Sequence, residues 1–317
     1  MAPVYKIAVI QLQPKDVALE DNFRRAESFI RQAAAEGAHL AVLPEYHLTS
    51  WCPDHPDFLS ACEASVSYIS RYQALAHELN INIVPGTICE PHPSSNGTEK
   101  KEIRNMAHWL APSSSSTPLS SYQKKNLWHT ERPHLTAGLS HSPHTAFDTP
   151  LLWGPEKGNR PIRAGMLICW DLAFPEAFRA LLSQGAELIV IPSFWLCDES
   201  DLDEDRKRVN ARCERLFLES VLVTRAFENE CVVVFSNTGG VSGVTAPVVG
   251  SVGGQPMRDN VEEMRVVEVD FGMVDLLETN YKVRKDMAGE GWHYGYAYGN
   301  GGGSGSGVGG KEEGKKQ

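Results

Sequence analysis

"PIRAGMLICWDLAFPEAFRALLSQGAELIVIPS" (residues 161–193) contains two strands and a helix in one stretch. "PIRAGMLIC" (161–169) ends in an unbroken apolar run and reads as a buried strand. A helix opens near Pro175, since proline is tolerated in a first helical turn, and "ELIVIPS" (187–193) reads as the next buried strand. A strand, a helix and a strand in this order make the repeating unit of a layered α/β fold. Cys169 closes the first strand, the end at which such folds place their chemistry. Taken alone it reads as a small core residue rather than a catalyst.

The same alternation extends in both directions. "KIAVIQL" (6–12) reads as a strand, and "LEDNFRRAESFIRQAAAEGA" as an amphipathic helix closed by Gly37. "HLAVLPE" (39–45) is a strand ending on a glutamate, and residues 57–79 read as one helix. "INIVPGTICE" and "RNMAHWLAP" read as a strand pair, and "LSSYQKKNL" (119–127) continues it. Residues 128–145 read as a surface loop, 198–208 as a solvated charged insert or helix start, and 211–229 as a helix. "CVVVFSN" and "EMRVVEVD" are further strands. The expected organisation is one domain over 1–298, followed by a disordered glycine-rich tail over 299–317 that cannot build a core.

Bulk properties narrow the function. The 317 residues are 42% hydrophobic and 22% charged, enough apolar content for a large core. A net charge of −10 argues against nucleic acid or an anionic membrane surface as partner. No stretch approaches the roughly 18 apolar residues of a membrane span, and the N-terminus lacks the pattern of a signal peptide. Seven scattered cysteines without a CxxC pair suit free thiols in a reducing cytoplasm. His129, His134, His141 and His144 lie in a Pro/Ser-rich loop without ligand spacing, so neither a metal nor another cofactor is expected.

Three other positions share Cys169's setting. A free thiol, with pKa about 8.5, needs a base or a nearby positive charge to act as a nucleophile. Glu45 closes the apolar run "HLAVLPE", where a carboxylate must be exposed, paired or protonated. Lys124 follows a strand, Lys125 should face the opposite way, and Glu131 lies seven residues beyond Lys124. Cysteine, lysine and glutamate at strand ends make a coherent acyl-transfer set: carboxylate as base, ammonium for developing negative charge.

These stretches resemble the nitrilase superfamily of carbon–nitrogen hydrolases. "LAVLPEY" is similar to its first-glutamate motif, and "YQKKNLWHTE" to its lysine and second-glutamate stretch. "GMLICWDLAFPEAFRALLSQGAELIVIPSFW" is similar to its nucleophile motif, and "RAFENECVVVFSNTGG" to its next block. The resemblance, over roughly 5–285, implies a four-layer α-β-β-α sandwich whose subunits dimerise through helical layers. It implies Glu45 as general base, Lys124 as oxyanion-stabilising lysine, Cys169 as nucleophile and Glu131 as the orienting second glutamate. "CWDLAFPE" resembles the amidase branch, which implies hydrolysis of a small amide or N-carbamoyl compound; nitrile hydrolysis and an inactive binding protein on the same fold are the alternatives. Where members often carry an arginine after the cysteine, this chain has Ala173. Nearness to these motifs nominates Tyr46, Trp51, His129, Trp170, Phe194 and Trp195 as substrate-binding walls.

Overall fold

The computed structural model describes residues 2–94, 101–114, 117–139 and 141–294; the expected tail over 299–317 lies outside them. The first half of the chain runs β1 (Val4–Gln11), α1 (Leu19–Ala35), β2 (Leu40–Val42), α2 (Phe58–Ser65), α3 (Tyr68–Leu79), β3 (Asn82–Val84), β4 (Thr87–His92), β5 (Glu102–Trp109) and β6 (Ser120–Gln123). It continues with β7 (Phe147–Leu152), β8 (Pro161–Met166), α4 (Pro175–Leu182), β9 (Leu188–Ser193), α5 (Glu204–Asn210), α6 (Cys213–Glu228) and β10 (Val232–Asn237). β11 (Gly243–Ala246), β12 (Gly250–Val252), β13 (Glu263–Asp270), α7 (Gly272–Asn280) and α8 (Val283–Ala288) complete it.

One sheet has the order β13-β1-β2-β3, and a bridge between Ile83 and Leu110 carries it toward the three-stranded β4-β5-β6 unit. The other sheet has the order β12-β11-β10-β9-β8-β7, with β8, β9 and β10 parallel. Strand periodicity sorts the core between these layers. Ile7 and Val9 of β1 face inward with Leu188, Val190, Val232 and Val234 of the second sheet, the face from which Ser236 bonds the Ile10 carbonyl. The intervening Ala8 and Ile10 face outward onto Phe23, Ala26 and Ile30 of α1 and Tyr72, Leu75 and Ala76 of α3. On the far side, β8–β10 are covered by Phe178 and Leu181 of α4 and Leu218, Leu222 and Ala226 of α6. Helices therefore cover the outer face of each sheet, and the four-layer α-β-β-α expectation holds. Among the described residues no helix is long and apolar enough to cross a membrane.

Several boundaries differ from the sequence reading. The expected helix over 57–79 is two helices, broken at Val66 and Ser67. "INIVPGTICE" is likewise two strands, because the chain turns at Pro85–Gly86. Gly86 has φ +61°, and a Cβ there would come within 1.9 Å of the Pro44 carbonyl oxygen. Only glycine lets this turn pass so close to the segment that carries Glu45. The charged insert is not simply solvated: it holds α5 and directs two side chains toward the site described next.

Candidate active site

Each candidate side chain emerges just beyond a strand end. β8 stops at Met166, Leu167 and Ile168 continue extended, and Cys169 begins a short 3₁₀ turn to Ala173. Its φ is +45°, a left-handed conformation costing a non-glycine residue roughly 1–3 kcal/mol. That turn is braced from three sides. Asp171, fully buried, accepts from the Ile168 N–H at 3.0 Å and the Tyr122 hydroxyl at 2.9 Å through Oδ2. Its Oδ1 accepts from the N–H and Nδ2 of Asn126, at 2.9 and 2.8 Å. Arg225 of α6 donates to the carbonyls of Leu172 and Ala173 at 3.3 and 3.4 Å. Asp171 thus ties the cysteine turn to the segment that follows Lys124.

Glu45 and Lys124 meet inside the molecule, and both are almost fully buried. Lys124 Nζ donates to Glu45 Oε1 at 2.8 Å and to Glu131 Oε1 at 2.6 Å, so one ammonium bridges two carboxylates. Glu45 Oε1 also accepts from Asn105 Nδ2 at 2.8 Å, and its Oε2 accepts from the Phe194 N–H at 2.9 Å. Glu131 is fixed by the Trp128 N–H at 2.7 Å and by the Tyr46 hydroxyl. Lys125 points elsewhere and donates to the Ser142 carbonyl, so the structure joins Lys124, not its neighbour, to the carboxylates.

The electrostatics follow from this burial. Desolvation raises the Glu45 pKa above the ordinary carboxylate value, against the opposing pull of Lys124. Burial works against the Lys124 ammonium, but Glu45, Cys169 and Glu131 outweigh it and hold the lysine charged. Burial, with Glu45 beside it, pushes the Cys169 thiol well above its usual range, and Lys124 only partly offsets this. The cysteine therefore rests as a thiol next to a carboxylate that readily takes a proton. The Ser193 hydroxyl, placed to hydrogen-bond the sulfur, works in the opposite direction and favours the thiolate.

Cys169, Glu45, Lys124 and Glu131 share a cavity of about 250 Å³. Tyr46, Trp51, Trp170, Phe194 and Trp195 line it, as expected from their positions near the motifs. His129 does not. Its ring is exposed and packs on Trp128, which lines the cavity in its place. Trp128 had no signal of its own beyond adjacency to His129. Asn105 was missed for a different reason: it lies within β5, and only the fold brings it to Glu45 and the Tyr46 hydroxyl. Thr130, Leu196, Leu202, Arg206 and Glu214 also reach the cavity.

Comparison with known proteins identifies the family. The human omega-amidase NIT2 is 27% identical over 198 residues, covering 59% of this chain and 63% of the relative, so the chain spans less than two thirds of that protein's length. A deaminated glutathione amidase of Synechocystis is 25% identical over 233 residues, covering 73% of this chain and 76% of the relative. A solved amidase of Nesterenkonia AN1 from the nitrilase superfamily shares the fold with a TM-score of 0.65 at 20% identity, covering 89% of this chain and 96% of that one. The family model for carbon–nitrogen hydrolases matches residues 6–277. With that match over most of its length, the chain belongs to the carbon–nitrogen hydrolase family.

Proposed function

We propose that the protein is a cysteine-dependent amidase that opens the C–N bond of a small amide or N-carbamoyl compound through a thioester. One observation carries this reading: the Cys169 thiol sits on the cavity floor beside a buried Glu45 that is itself paired to Lys124. In a glutamate-substituted amidase of Nesterenkonia sp. AN1, the acetamide moiety of fluoroacetamide is covalently added at the active site cysteine, which supports a nucleophilic cysteine in this fold, the role proposed here for Cys169.

In the proposed reaction Sγ of Cys169 attacks the amide carbonyl carbon while Glu45 takes the thiol proton. A raised thiol pKa makes this proton transfer part of the attack rather than a step before it. The oxyanion is met by Lys124 Nζ and the backbone N–H of Trp170. Collapse breaks the C–N bond, and Glu45 passes its proton to the departing ammonia or amine. Water then attacks the thioester, Glu45 accepts its proton, and the acid leaves as that proton returns to Sγ. Glu131 holds the Lys124 ammonium in line throughout, and no metal or organic cofactor takes part.

A panel of short amides, ω-amides, N-carbamoyl amines and nitriles, read by ammonia release and product identification, tests this. Amide or carbamoyl turnover with a Cys169 acyl adduct by intact mass is the expected result. Nitrile-only turnover, or undiminished turnover by Cys169→Ala, would overturn it. The outward apolar residues of α6, Leu216, Phe217, Val223 and Phe227, support a homodimer through the helical layer, which sedimentation equilibrium tests.

A further inference from the structure

The charged insert after β9 has no part in the chemistry above, yet it reaches the cavity. Leu202 precedes α5 and is almost fully buried, while Arg206 of α5 and Glu214 of α6 stand at the wetter end. Side-chain exposure rises from 1% at Lys124 and Glu45 to 18% at Glu214 and 45% at Arg206, so the latter two mark the mouth. Between floor and mouth stand three indoles. Trp170 meets Trp128 edge-on with ring centroids 4.5 Å apart, and Trp195 lies 5.3 Å from Trp170 and 6.5 Å from Trp128.

These rings are held rather than loose. Trp195 donates its ring N–H to Glu214 Oε2 at 2.8 Å and its backbone N–H to Asn237 Oδ1 at 2.7 Å. Asn237 Nδ2 returns a bond to the Trp195 carbonyl at 2.8 Å, and Phe217 stacks on the indole at 5.5 Å. Gly239 makes this possible, since a Cβ there would come within 2.2 Å of the Trp195 carbonyl oxygen. Fixed π faces favour a cation over an anion, because the ring quadrupole presents its negative side.

The charges of the lining agree with that preference. Arg206 is the cation at the mouth, but it is engaged by Glu214 at 2.6 Å and by Asp203 at 2.8 Å. Over the whole lining, the carboxylates of Glu45, Glu131 and Glu214 outnumber the cations Lys124 and Arg206. The excess lies toward the floor, with Glu45 and Glu131 against Lys124, while Glu214 and Arg206 balance at the mouth. A substrate carboxylate would meet an excess of like charge, and an ammonium would meet the opposite sign.

We propose that the cavity selects amides whose acyl portion ends in a positively charged ammonium group, held against the cavity-lining indoles of Trp128, Trp170 and Trp195 and drawn by the carboxylate excess of the lining, Glu214 included. This rests on the amidase reading and deepens it. Glu214 acts twice, as part of the attracting charge and as the residue that orients Trp195.

Three amides of equal chain length test it, ending in a methyl, an ammonium or a carboxylate group. With the full-length enzyme, the ammonium compound should show kcat/KM about tenfold or more above the methyl compound, mainly through KM, with the carboxylate compound lowest. Glu214→Gln should shrink the ammonium-to-methyl ratio several-fold, and raised salt should shrink it further in the wild type. Binding of the same three compounds to Cys169→Ala, followed by tryptophan fluorescence, reads the preference without turnover. Equal binding of methyl and ammonium compounds, a carboxylate preference, or a ratio untouched by Glu214→Gln would overturn the proposal and leave the amidase reading standing. Absence of turnover and of any Cys169 adduct would overturn the amidase reading, while the binding series would still decide the charge preference.

Discussion

Lys124 is the residue on which the site's electrostatics turn. It is one ammonium between two buried carboxylates, so its loss removes the proposed oxyanion donor and leaves Glu45 and Glu131 without a counter-charge. Lys124→Met should lower kcat about 10²–10³-fold, the range for one lost oxyanion donor. Its unfolding free energy should fall by about 3–5 kcal/mol, the range for breaking a buried pair, as read by denaturant titration. Lys125→Met should do neither, since its ammonium donates only to the half-buried Ser142 carbonyl. In the proposed mechanism Glu45 sets the pH dependence. As the proposed base it must be ionised to accept the thiol proton, and burial raises its pKa, so kcat/KM should fall as pH drops through a value above the ordinary 4.5. An acid limb at or below that value would contradict the general-base role. At this scale Cys169 and Glu45 were legible because each closes an apolar run, where chemistry-bearing side chains are expensive to place without a purpose, Lys124 because it follows a strand, and Glu131 through its spacing from Lys124 and the family resemblance. Asp171 was read only as one letter of a motif. Its four hydrogen bonds to Ile168, Tyr122 and Asn126 show why that letter is an acid: it fastens the cysteine turn. Asp171→Ala should therefore cost about 1–3 kcal/mol of stability through the donors it orphans, and lower kcat without any contact to substrate.

Among elements, the turns decide more than the strands. β2 is only three residues long, and Glu45 lies three positions past its end, so no strand geometry holds it. It is placed instead by the crossing of Pro44 over Gly86 and by the Phe194 N–H from beyond β9. Gly86→Ala should destabilise the protein by more than about 1 kcal/mol, because the left-handed φ and the 1.9 Å approach both exclude a Cβ. A thermal melt measures the first effect, and a matching loss of Cys169 acylation reports displacement of Glu45. The strand reading of "INIVPGTICE" missed this break although Pro85 and Gly86 stand in plain view. Apolar content on both sides masked a turn whose purpose is tertiary. The split of residues 57–79 into α2 and α3 is similar, since nothing in the local pattern forbids a continuous helix. It is packing that parts them, with Tyr72, Leu75 and Ala76 of α3 against α1 and the first sheet, and Phe58 and Cys62 of α2 toward Tyr46 and Leu135.

The whole molecule is two sheets pressed together, and their seam carries few but specific polar ties. Ser236 of β10 donates to the Ile10 carbonyl of β1 at 2.7 Å. Gln11 donates to the carbonyls of Arg258 and Val261 at 2.7 and 2.8 Å and accepts from the Ser242 hydroxyl at 2.8 Å. Gln11→Leu leaves these buried partners unsatisfied and should lower stability by about 1–3 kcal/mol. It lies outside the cavity, so KM should stay unchanged at temperatures below the melt. A change in KM without a change in Tm would show that the seam and the site are not separate. Periodicity along the chain determined the layered α/β class, because strand and helix each bury one face at a fixed spacing. Strand-end positions, with the family resemblance, determined which four side chains to suspect. What the chain could not show by itself is which distant segments meet. The Glu45–Asn105 bond spans 60 positions, the Glu45–Phe194 bond 149 and the Tyr122–Asp171 bond 49. Such pairings are set by which sheet edges and loops stack once the core closes, a property of the assembled layers rather than of any local window. For the same reason the charged insert read as solvent-facing, and only the closed fold laid Leu202 and Arg206 against the cavity.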